Sequence, residues 1–505
     1  MNAKKVILLI LDGWGIAKPD KFNAIDNANT PNVDKLSREY PNVILKSDGE
    51  SVGLPVGQYG TSEINHQVIG AGRIFLQDLP KINKEIENET FYTNHELVSA
   101  CKHSIENDSA LHLVGIVSDG KVHSSLDHLL ALIKLAKNEG VKKLYIHAFA
   151  DGRDAPPKSV ERYLSEVDKH LEGFEEASVA TLQGRFYLDR DRDWDKTQKA
   201  IDLLVKGKGA KYTDWQKAVN FSYNQKLTDE FMDQYILDEN GVIKKNDAVI
   251  FTHYRTDRLY QISKSFLDQK LANQYVVTFI EVSEDIKTHV AFPRPEITHT
   301  LAETISLAEK KQLHITETEK YTHLTFFLNG GREKEFAGEE WKLLVSNRFV
   351  KPFYNFEPSM RAFELTNEII TRIENKDTDF VIANYPATDM VGHTGNYEAA
   401  VIAAESIDYC VGKIYEAIKD NLKEYALIVT ADHGNSDIMW DYENEQPHTQ
   451  HTTSPVPFIL VSDIDCKLDK RETLEDVAPT VLDLMGIEIP EVMTGTSLIL
   501  KNNKS

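Results

Sequence analysis

Aspartate and histidine side chains follow short apolar, β-branched runs at several places in the sequence. Residues 426–430 form one such run, which is followed closely by Asp432-His433. This pattern is typical of a buried parallel strand whose carboxyl end presents an oxygen and a nitrogen ligand side by side. Asp12 follows residues 6–11 in the same way. Because open α/β sheets bind ligands at that edge, the pattern predicts a two-metal hydrolase or transferase site assembled from distant segments.

A second pair of ligand-type side chains, Asp389 and His393, lies four residues apart soon after another apolar run. Residues i and i+4 of a helical turn share a face, so both could bind one cation. An incidental histidine in a polar loop is the alternative. His451 precedes a further apolar run and could supply a third ligand, and spacing alone does not exclude His448 from that role. Carboxylate and imidazole without thiolate favour manganese, zinc, cobalt or iron over magnesium or a structural zinc ion.

Ser62, two residues after Gly60, is a candidate nucleophile. A serine needs a base or a metal to ionise it at neutral pH. If a helix begins here, its N-terminus adds positive potential for an alkoxide and for an incoming phosphate. A simple helix cap is the alternative interpretation of this Thr-Ser-Glu segment. The pattern Gly70-Ala-Gly72 lacks the full dinucleotide fingerprint and the sequence has no Walker-type loop, so nucleotide binding is not supported.

The formal net charge of −22 over 505 residues argues against a general nucleic-acid or anionic-membrane binder. An anionic substrate would need a local basic cluster, and guanidinium groups bind phosphate and carboxylate in bidentate fashion. Five arginines lie near predicted strand ends in the middle of the chain: Arg153, Arg185, Arg190, Arg255 and Arg258.

Other polar residues of the middle segment have two interpretations. His123 and Asp154 could transfer protons beside a sugar-acid hydroxyl, although isolated residues of these types are more often structural. Arg190 and Arg192 alternate with aspartates at 189, 191 and 193. A solvated, salt-bridged face is therefore the alternative for that stretch.

The composition and the N-terminal segment indicate where in the cell the protein is expected. The apolar run at residues 6–11 is too short for a signal peptide, ends at Asp12 and has no small-residue cleavage site. No run approaches the roughly 18 apolar residues of a membrane span. Three cysteines have no metal-like spacing and are predicted to be buried in a protein of a reducing compartment: Cys101, Cys410 and Cys466. We therefore expect a cytoplasmic protein.

Short β-branched runs alternate with helical patterns along most of the chain, which predicts parallel α/β architecture. The length exceeds that of one ordinary core, so we expect more than one domain. Helices are predicted over residues 398–418 and 474–485. Strands are predicted at residues 6–11, 111–117, 143–149, 177–182, 248–252, 323–328, 380–384, 426–430 and 457–461.

The chemistry at the predicted strand ends divides the chain into domains. Aspartate, histidine and serine occupy these positions near both ends of the chain, whereas arginine and histidine occupy them in the middle. We therefore predict that a domain of residues 77–311 is inserted into a metal-binding domain of residues 1–76 and 312–505. Phe292-Pro-Arg-Pro295 and its polar sequel are predicted to form the return linker.

Taken in order, the motifs resemble those of the cofactor-independent, or 2,3-bisphosphoglycerate-independent, phosphoglycerate mutases of the alkaline phosphatase superfamily. The resemblance extends over essentially the whole chain. The matching segments are Ile10-Leu-Asp-Gly-Trp-Gly15, Ser62-Glu63, Ile69-Gly-Ala-Gly-Arg73, Asp151-Gly-Arg-Asp-Ala-Pro-Pro157, Thr325-Phe-Phe-Leu-Asn-Gly-Gly-Arg332, Asp389-Met-Val-Gly-His-Thr-Gly395, Ala431-Asp-His-Gly-Asn435, His451-Thr-Thr-Ser-Pro-Val-Pro457, Asp476-Val-Ala-Pro-Thr480 and Met493-Thr-Gly495.

The resemblance implies an alkaline-phosphatase-like parallel-sheet domain, split by an inserted α/β phosphotransferase domain that binds the substrate. It implies a monomeric isomerase of glycolysis and gluconeogenesis that interconverts 3-phosphoglycerate and 2-phosphoglycerate without bisphosphoglycerate. It also implies two Mn²⁺ or similar divalent transition metal ions, and it favours His451 over His448. One ion would be held by Asp389, His393 and His451, and the other by Asp12, Ser62, Asp432 and His433.

The implied mechanism passes through a phosphoserine. Metal-ionised Ser62 takes the phosphoryl group from 3-phosphoglycerate, while the metals and Lys320, which precedes a predicted strand, offset the developing charge. Glycerate then reorients, its 2-hydroxyl recaptures the phosphate, and domain closure excludes water. Asp154 joins Ser62 and Lys320 among the candidate catalytic residues. Substrate contacts carry over to His123, Arg153, Asp154, Arg185, Arg190, Arg255, Arg258 and Lys320.

The chain departs from the family pattern in three places. Around the nucleophile, Thr61 replaces an asparagine and Asn65 replaces a glycine, where asparagine is expected to tolerate a positive φ. Thr256 replaces a proline between two arginines and loosens that loop. The loop at residues 185–190 is one residue shorter than usual, and Asp193 stands where an arginine is common. Rate or substrate preference could therefore differ from those of the family.

Two alternative functions are compatible with the motifs. One is a related metallophosphatase or phosphopentomutase of the same superfamily, although the arginine-bearing insert and Lys320 favour the mutase. The other is a non-catalytic paralogue that binds phosphosugar acids. Only the altered surroundings of Ser62 support the second alternative, and the intact set of metal ligands argues against it.

Overall fold

The computed structural model describes residues 4–470 and 473–501. The chain divides into two compact units, and unit 2 interrupts unit 1 in sequence. Unit 1 comprises Met1–Gln77 and Glu296–Ser505, and unit 2 comprises Asp78–Pro295. Among the described residues, every helix is too short or too polar to span a membrane.

The main strands are apolar along most of their length, because the side chains on both faces of a covered parallel sheet are packed. The strands are β1 Lys5–Leu11, β2 Asn42–Leu45, β3 Leu111–Ile116, β4 Lys143–Ala150, β5 Glu176–Gly184, β6 Ala210–Lys211, β7 Tyr235–Ile236, β8 Ala248–Phe251, β9 Tyr275–Thr278, β10 His289–Val290, β11 Gln312–Glu317, β12 Glu339–Leu344, β13 Phe380–Tyr385, β14 Tyr425–Thr430, β15 Trp440–Asp441, β16 Gln446–Pro447, β17 Val456–Val461, β18 Cys466–Leu468 and β19 Ile499–Lys501.

Polar caps and glycines set the ends of several helices. Asn396 accepts a hydrogen bond from the Ala399 amide at 2.9 Å and so begins the longest helix among the described residues, which ends at Ile418. The helices are α1 Ala24–Asn27, α2 Pro31–Glu39, α3 Ser62–Ala71, α4 Asp78–Glu87, α5 His95–Glu106, α6 Leu126–Glu139, α7 Val160–Leu171, α8 Trp194–Lys206, α9 Trp215–Asn224, α10 Thr256–Leu267, α11 Leu301–Leu307, α12 Ala362–Asn375, α13 Ala387–Gly392, α14 Tyr397–Ile418 and α15 Val477–Met485.

The main sheet of unit 1 has the strand order β12-β11-β13-β1-β14-β17-β2. Strands β12, β11, β13, β1 and β14 are parallel, and β17 pairs antiparallel with both β14 and β2. The register aligns Ile10 of β1 with Asn384 of β13. Because β13, β1 and β14 are parallel neighbours, Asp389, Asp12 and Asp432, which follow them, lie at one edge of the sheet.

Unit 2 contains its own sheet, with the strand order β10-β9-β8-β3-β4-β5-β7-β6. Neighbouring strands are parallel except for β5 and β7. A separate core surrounds this sheet and includes Leu113, Ile146 and Phe251. The loops after β3, β4, β5 and β8 carry most of the candidate substrate residues, so parallel pairing brings them to one edge.

The predicted α/β class is confirmed, and the predicted strands are confirmed except for residues 323–328. Those residues form a π-helical turn, His323–Phe327. The run is apolar almost throughout, and such a pattern does not separate a buried helix from a strand. Lys320 therefore follows a strand, β11, rather than preceding one. The predicted burial of the free cysteines is also confirmed for Cys101, Cys410 and Cys466.

The return of the chain to unit 1 occurs at Glu296. The predicted return at residue 312 lies inside this unit rather than at its start. Helix α11 explains the difference, because Leu301 and Ile305 are buried in the core of unit 1. The short helix thus belongs to the same hydrophobic core as the sheet.

Candidate active site

Three buried carboxylates lie at the carboxyl edge of the unit 1 sheet. Asp12 directly follows β1, and Asp432 lies two residues after β14. Asp389 is carried by α13, the short helix that begins soon after β13. All three side chains are almost completely inaccessible to solvent. Buried carboxylates are costly unless cations or hydrogen-bond donors compensate them, so this edge is a cation-binding environment.

One group of ligand atoms surrounds Asp389. His393 Nε2 lies 3.2 Å and His451 Nε2 lies 3.3 Å from Asp389 Oδ1, and the two Nε2 atoms are 3.1 Å apart. The Nδ1 atoms of His393 and His451 lie 2.7 Å and 3.0 Å from backbone carbonyls of Thr449 and Gly60. A carbonyl can only accept, so each Nδ1 carries a proton, and in the neutral form of each imidazole Nε2 is the nitrogen with a lone pair for a metal ion.

The structure places His451, and not His448, beside Asp389. The His448 backbone amide donates to the carbonyl of Met439 at 3.0 Å, which ties this residue into the short β15–β16 hairpin region. His451 instead stacks on His433, with ring centroids 3.7 Å apart. The two predicted ligand groups are therefore adjacent, and His433 borders both of them.

The second group of ligand atoms surrounds His433. Its Nε2 atom lies 2.8 Å from Ser62 Oγ, 3.3 Å from Asp432 Oδ2 and 3.7 Å from Asp12 Oδ1. The Nδ1 atom lies 3.3 Å from the carbonyl of Gly434, which again leaves the Nε2 lone pair free. The structure thus brings together all four residues predicted for this group.

The donor set fits a divalent transition metal ion. Carboxylate and imidazole groups are the only ligand types in the two groups besides the Ser62 hydroxyl, and imidazole suits such ions better than it suits magnesium. Asp432 Oδ2 is fully buried and accepts no hydrogen bond from the described residues. Buried polar atoms are normally paired, so an oxygen of this kind is a suitable metal ligand.

Ser62 is the first residue of α3, and Thr61 is its N-cap. Thr61 Oγ1 accepts a hydrogen bond from the Ile64 amide at 3.4 Å. The hydroxyl of Ser62 therefore lies at the positive end of a ten-residue helix. The cap and the candidate nucleophile, which the sequence offered as alternatives, are adjacent residues.

Lys320 is the buried cation of this site. Its Nζ atom lies 2.6 Å from Ser62 Oγ, 2.6 Å from Asp389 Oδ2 and 2.7 Å from Asp12 Oδ1. Burial alone would lower the pKa of Lys320, but Asp12 and Asp389 raise it above its ordinary value. The side chain is therefore an ammonium at neutral pH and can donate to oxygens at this position.

The three carboxylates differ in their electrostatics. Burial raises the pKa values of Asp12 and Asp389, but Lys320 more than offsets this and holds both below their ordinary values. For Asp432, burial and the charge of Asp12 raise the pKa well above its ordinary value. Lys320 alone does not compensate a third negative charge at Asp432, so a divalent cation bound there would favour the ionised form of this carboxyl.

Arg185, one of the predicted arginine residues of unit 2, contacts two aspartates that follow β4. Arg185 Nη1 lies 2.5 Å from Asp151 Oδ1 and 2.5 Å from Asp154 Oδ2. His123 Nε2 lies 3.8 Å from the same Asp154 oxygen. Arg153 is half exposed, and its Nη1 atom lies 3.6 Å from Glu230. Asp154 is thus oriented by a guanidinium while remaining partly accessible.

Asp257 connects the rest of this group. Its carboxylate lies 3.3 Å from His123 Nδ1, 3.3 Å from Arg190 Nη1 and 3.6 Å from Arg255 Nη2. Burial alone would raise the pKa of Asp257, but His123 and Arg255 hold it well below its ordinary value. Arg258 is buried, and burial together with neighbouring arginines lowers its pKa to about 10. The cluster carries excess positive charge, as an anion-binding group requires.

Comparisons with known proteins identify the family of this chain. Residues 4–489 match the model of the Metalloenzyme superfamily. The chain is 42% identical over 514 residues to the 2,3-bisphosphoglycerate-independent phosphoglycerate mutase of Clostridium tetani, covering 99% of each chain. It is 44% identical over 513 residues to 2,3-bisphosphoglycerate-independent phosphoglycerate mutase 1 of Methanosarcina barkeri, covering 99% of this chain and 98% of the relative. The chain belongs to the 2,3-bisphosphoglycerate-independent phosphoglycerate mutase family.

A solved structure extends the comparison to the fold. The crystal structure of Leishmania mexicana phosphoglycerate mutase at low cobalt concentration matches with a TM-score of 0.56 and 28% identity. The match covers 99% of this chain and 98% of that one. The α/β fold of this chain is therefore that of a phosphoglycerate mutase.

The residues that depart from the family pattern have visible roles in this member. Asn65 lies inside α3, so the expectation that it adopts a positive φ is wrong. Its side chain instead donates to the carbonyls of Ser47 at 3.0 Å and Asp432 at 2.7 Å. Asp193 is the N-cap residue of α8 and lies 3.3 Å from Lys196, and Thr256 begins α10.

Sequence reasoning missed several polar residues of this phosphoglycerate mutase family member. The position of Asp257 between two arginines is a signal that could have identified it. His66 lies one helical turn after Ser62, and that spacing could also have identified it. Asn384 ends a predicted strand, but an asparagine is not one of the residue types that indicate a transition-metal site. His253 is fully buried, and neither of its ring nitrogens has a hydrogen-bond partner among the described residues. No pattern in the sequence indicates its burial.

Proposed function

We propose that this chain interconverts 3-phosphoglycerate and 2-phosphoglycerate without bisphosphoglycerate, by way of a phosphoserine on Ser62. The family supports the reaction, and one geometric observation supports the nucleophile. Ser62 Oγ lies at a helix N-terminus, 2.8 Å from His433 Nε2 and 2.6 Å from Lys320 Nζ. Such an environment favours an ionised serine and a bound phosphoryl group.

Two divalent ions, Mn²⁺ or a similar transition metal, belong to this proposal. When bound, such ions lower the pKa of a coordinated hydroxyl and offset charge on phosphoryl oxygens. The adjacency of the two ligand groups supports a two-ion site. One ion would be held by Asp389, His393 and His451, and the other by Asp12, Ser62, Asp432 and His433.

The first step would transfer the phosphoryl group to the protein. Ser62 Oγ, which enters this step already ionised, forms a bond to phosphorus while the bond from phosphorus to the 3-oxygen of the substrate breaks. Lys320 Nζ, 2.6 Å from Ser62 Oγ, donates to the phosphoryl oxygens as their negative charge rises. Asp154 would pass to the departing 3-oxygen the proton that it recovers from the glycerate 2-hydroxyl in the second step, so that the 3-oxygen leaves the phosphorus as a hydroxyl.

The second step reverses the first with a different oxygen. Asp154 takes the proton of the glycerate 2-hydroxyl, the 2-oxygen bonds to phosphorus, and Ser62 Oγ departs. Reorientation requires that glycerate stay bound between the steps. The guanidinium groups would hold its carboxylate. The proposed substrate-binding residues are His123, Arg153, Asp154, Arg185, Arg190, Arg255, Arg258 and Lys320.

An enolase-coupled assay tests the proposal. Metal-stripped protein receives 3-phosphoglycerate, with and without Mn²⁺ and with no bisphosphoglycerate. We expect 2-phosphoglycerate only with the metal. Free phosphate without 2-phosphoglycerate would instead indicate a phosphatase, and full activity after complete metal removal would refute the metal sites. We further propose that the chain is a monomer in the cytoplasm, and size-exclusion chromatography would test the oligomeric state. We also propose that unit 1 is the metal-binding domain and unit 2 the substrate domain, which expression of the separate units would test.

A further inference from the structure

The side chain of Asn384 is a buried amide. The proposed chemistry assigns no role to its contacts. It lies in β13, aligned with Ile10 of β1. Its Nδ2 atom lies 2.7 Å from Asp12 Oδ2 and 3.0 Å from His66 Nε2. An amide nitrogen carries two hydrogens and accepts none, and the ionised Asp12 can only accept. Asn384 therefore donates one hydrogen to Asp12 and the other to His66.

This donation determines the tautomer of His66. Because Nε2 accepts from Asn384, the neutral imidazole carries its proton on Nδ1. His66 Nδ1 lies 2.8 Å from the carbonyl oxygen of Ser62, one turn earlier in α3, and donates to it. A continuous series of donors thus runs from Asn384 through His66 to the backbone of Ser62, and a parallel contact runs from Asn384 to Asp12.

We propose that Asn384 and His66 form a positioning pair that sets Asp12 and Ser62 for cation binding. Asn384 occupies Asp12 Oδ2, so Oδ1 is the oxygen that faces Lys320 at 2.7 Å and His433 at 3.7 Å. His66 anchors the first turn of α3, which carries Ser62. Neither residue touches the reacting atoms. This inference rests on the proposed function, because it assumes that Asp12 and Ser62 are ligands.

The other ligand group contains a matched control. Asn435 is also fully buried, and its Nδ2 atom donates to Asp389 Oδ1 at 2.8 Å. Asp389 belongs to the group with His393 and His451. The two asparagines thus support different carboxylates with the same chemistry, so each should influence mainly its own cation. Groups that orient metal ligands typically change metal affinity by about 10- to 100-fold when removed.

Metal titration tests the pair without reference to activity. Leucine is close in size to asparagine and has no hydrogen-bond donor, so the variants are Asn384→Leu and Asn435→Leu. Both are made in a His393→Ala background, which disables the ion site that contains Asp389. Metal-stripped proteins are titrated with Mn²⁺ alone, and free Mn²⁺ is followed by its electron paramagnetic resonance signal. We expect Asn384→Leu to weaken the remaining Mn²⁺ about 10- to 100-fold and Asn435→Leu to change it much less. Wild-type affinity in folded Asn384→Leu would overturn the inference.

A second measurement needs neither metal nor a folded Asn384 variant. ¹⁵N-labelled histidine is incorporated into the otherwise unaltered chain, and His66 is assigned by the signal lost in His66→Phe. We expect a protonated Nδ1 and an unprotonated Nε2. An Nε2-protonated tautomer would overturn the inference. Absence of Mn²⁺ binding by the unaltered protein would instead refute the proposed function, so the two failures are distinguishable.

Discussion

The ammonium of Lys320 lies 2.6 Å from the hydroxyl oxygen of Ser62, although 258 residues separate them in sequence. The same nitrogen lies within 2.7 Å of Asp12 Oδ1 and 2.6 Å of Asp389 Oδ2, one carboxylate from each ligand group. One positive charge is therefore shared between the candidate nucleophile and both metal groups. A phosphoryl group on Ser62 would lie within reach of this donor.

Replacement of this charge should impair catalysis more than binding. We expect Lys320→Met to lower kcat by about 100- to 1000-fold, because an aligned donor that stabilises developing charge typically contributes that much. The enolase-coupled assay measures kcat and KM. Lys376→Met is the control, since Lys376 forms an exposed pair with Glu424 at 3.0 Å and such pairs contribute little. An unchanged kcat in Lys320→Met would contradict the assigned role.

Removal of the nucleophile should abolish the covalent intermediate while leaving the fold intact. We expect the mass of the acid-quenched protein to reveal a phosphorylated fraction after mixing with 3-phosphoglycerate, and Ser62→Ala to lack it. Ser51→Ala should retain the fraction, because the Ser51 hydroxyl donates to the Asp48 carbonyl and lies outside the ligand groups. Phosphorylation that persists in a folded Ser62→Ala protein would place the nucleophile elsewhere.

Loss of the Asp257 charge should weaken substrate binding. Asp257 contacts His123, Arg190 and Arg255, so Asp257→Asn leaves these groups less well oriented. We expect KM for 3-phosphoglycerate to rise about 10-fold or more, since hydrogen bonds to charged groups contribute roughly 1.5–3 kcal/mol, with a smaller change in kcat. Asp285→Asn, at an exposed pair with Lys264, should leave KM unchanged. A lower kcat at constant KM would argue against a binding role.

Two neighbouring glutamates should give opposite pH effects on stability. Burial raises the pKa of Glu317 from an ordinary value of 4.5 to about 8. The folded state therefore retains a proton that the unfolded state releases, so Glu317 lowers stability progressively as pH rises from about 4.5 to about 8. We expect Glu317→Gln to become more stable relative to the wild type over this interval, measured by urea unfolding at pH 5, 6.5 and 8.

Glu319 provides the matched comparison. Burial raises its pKa, but hydrogen bonds from Ser346 and Tyr354 more than offset this and hold it below the ordinary value. Its stabilising contribution is therefore present above the unfolded pKa and is lost as pH falls through the lower folded value. Glu319→Gln should be less stable than the wild type at pH 6.5 and 8 and should approach it in acid. Parallel pH profiles for the two variants would contradict this assignment.

Much of the framework can be predicted from the sequence. The central strands of unit 1 are recognisable because a strand covered on both faces must be apolar throughout. The positions of Asp12 and Asp432 just beyond such runs predict their location at one sheet edge. The same argument does not extend to residues 323–328. That segment is apolar enough for a strand, yet tertiary packing makes it a π-helical turn between Lys320 and the left-handed glycine Gly330.

Only the tertiary structure decided which side chains meet. The spacing of Asp389 and His393 indicates a shared face, but the choice between His448 and His451 depends on how the loop before β17 returns to the sheet. The contact between Asn384 and Asp12 exists because β13 pairs in parallel register with β1. Local sequence determines where a strand ends and which side chains come directly after it. Contacts between distant segments depend instead on the order and register of the strands, which cooperative packing of the whole core sets.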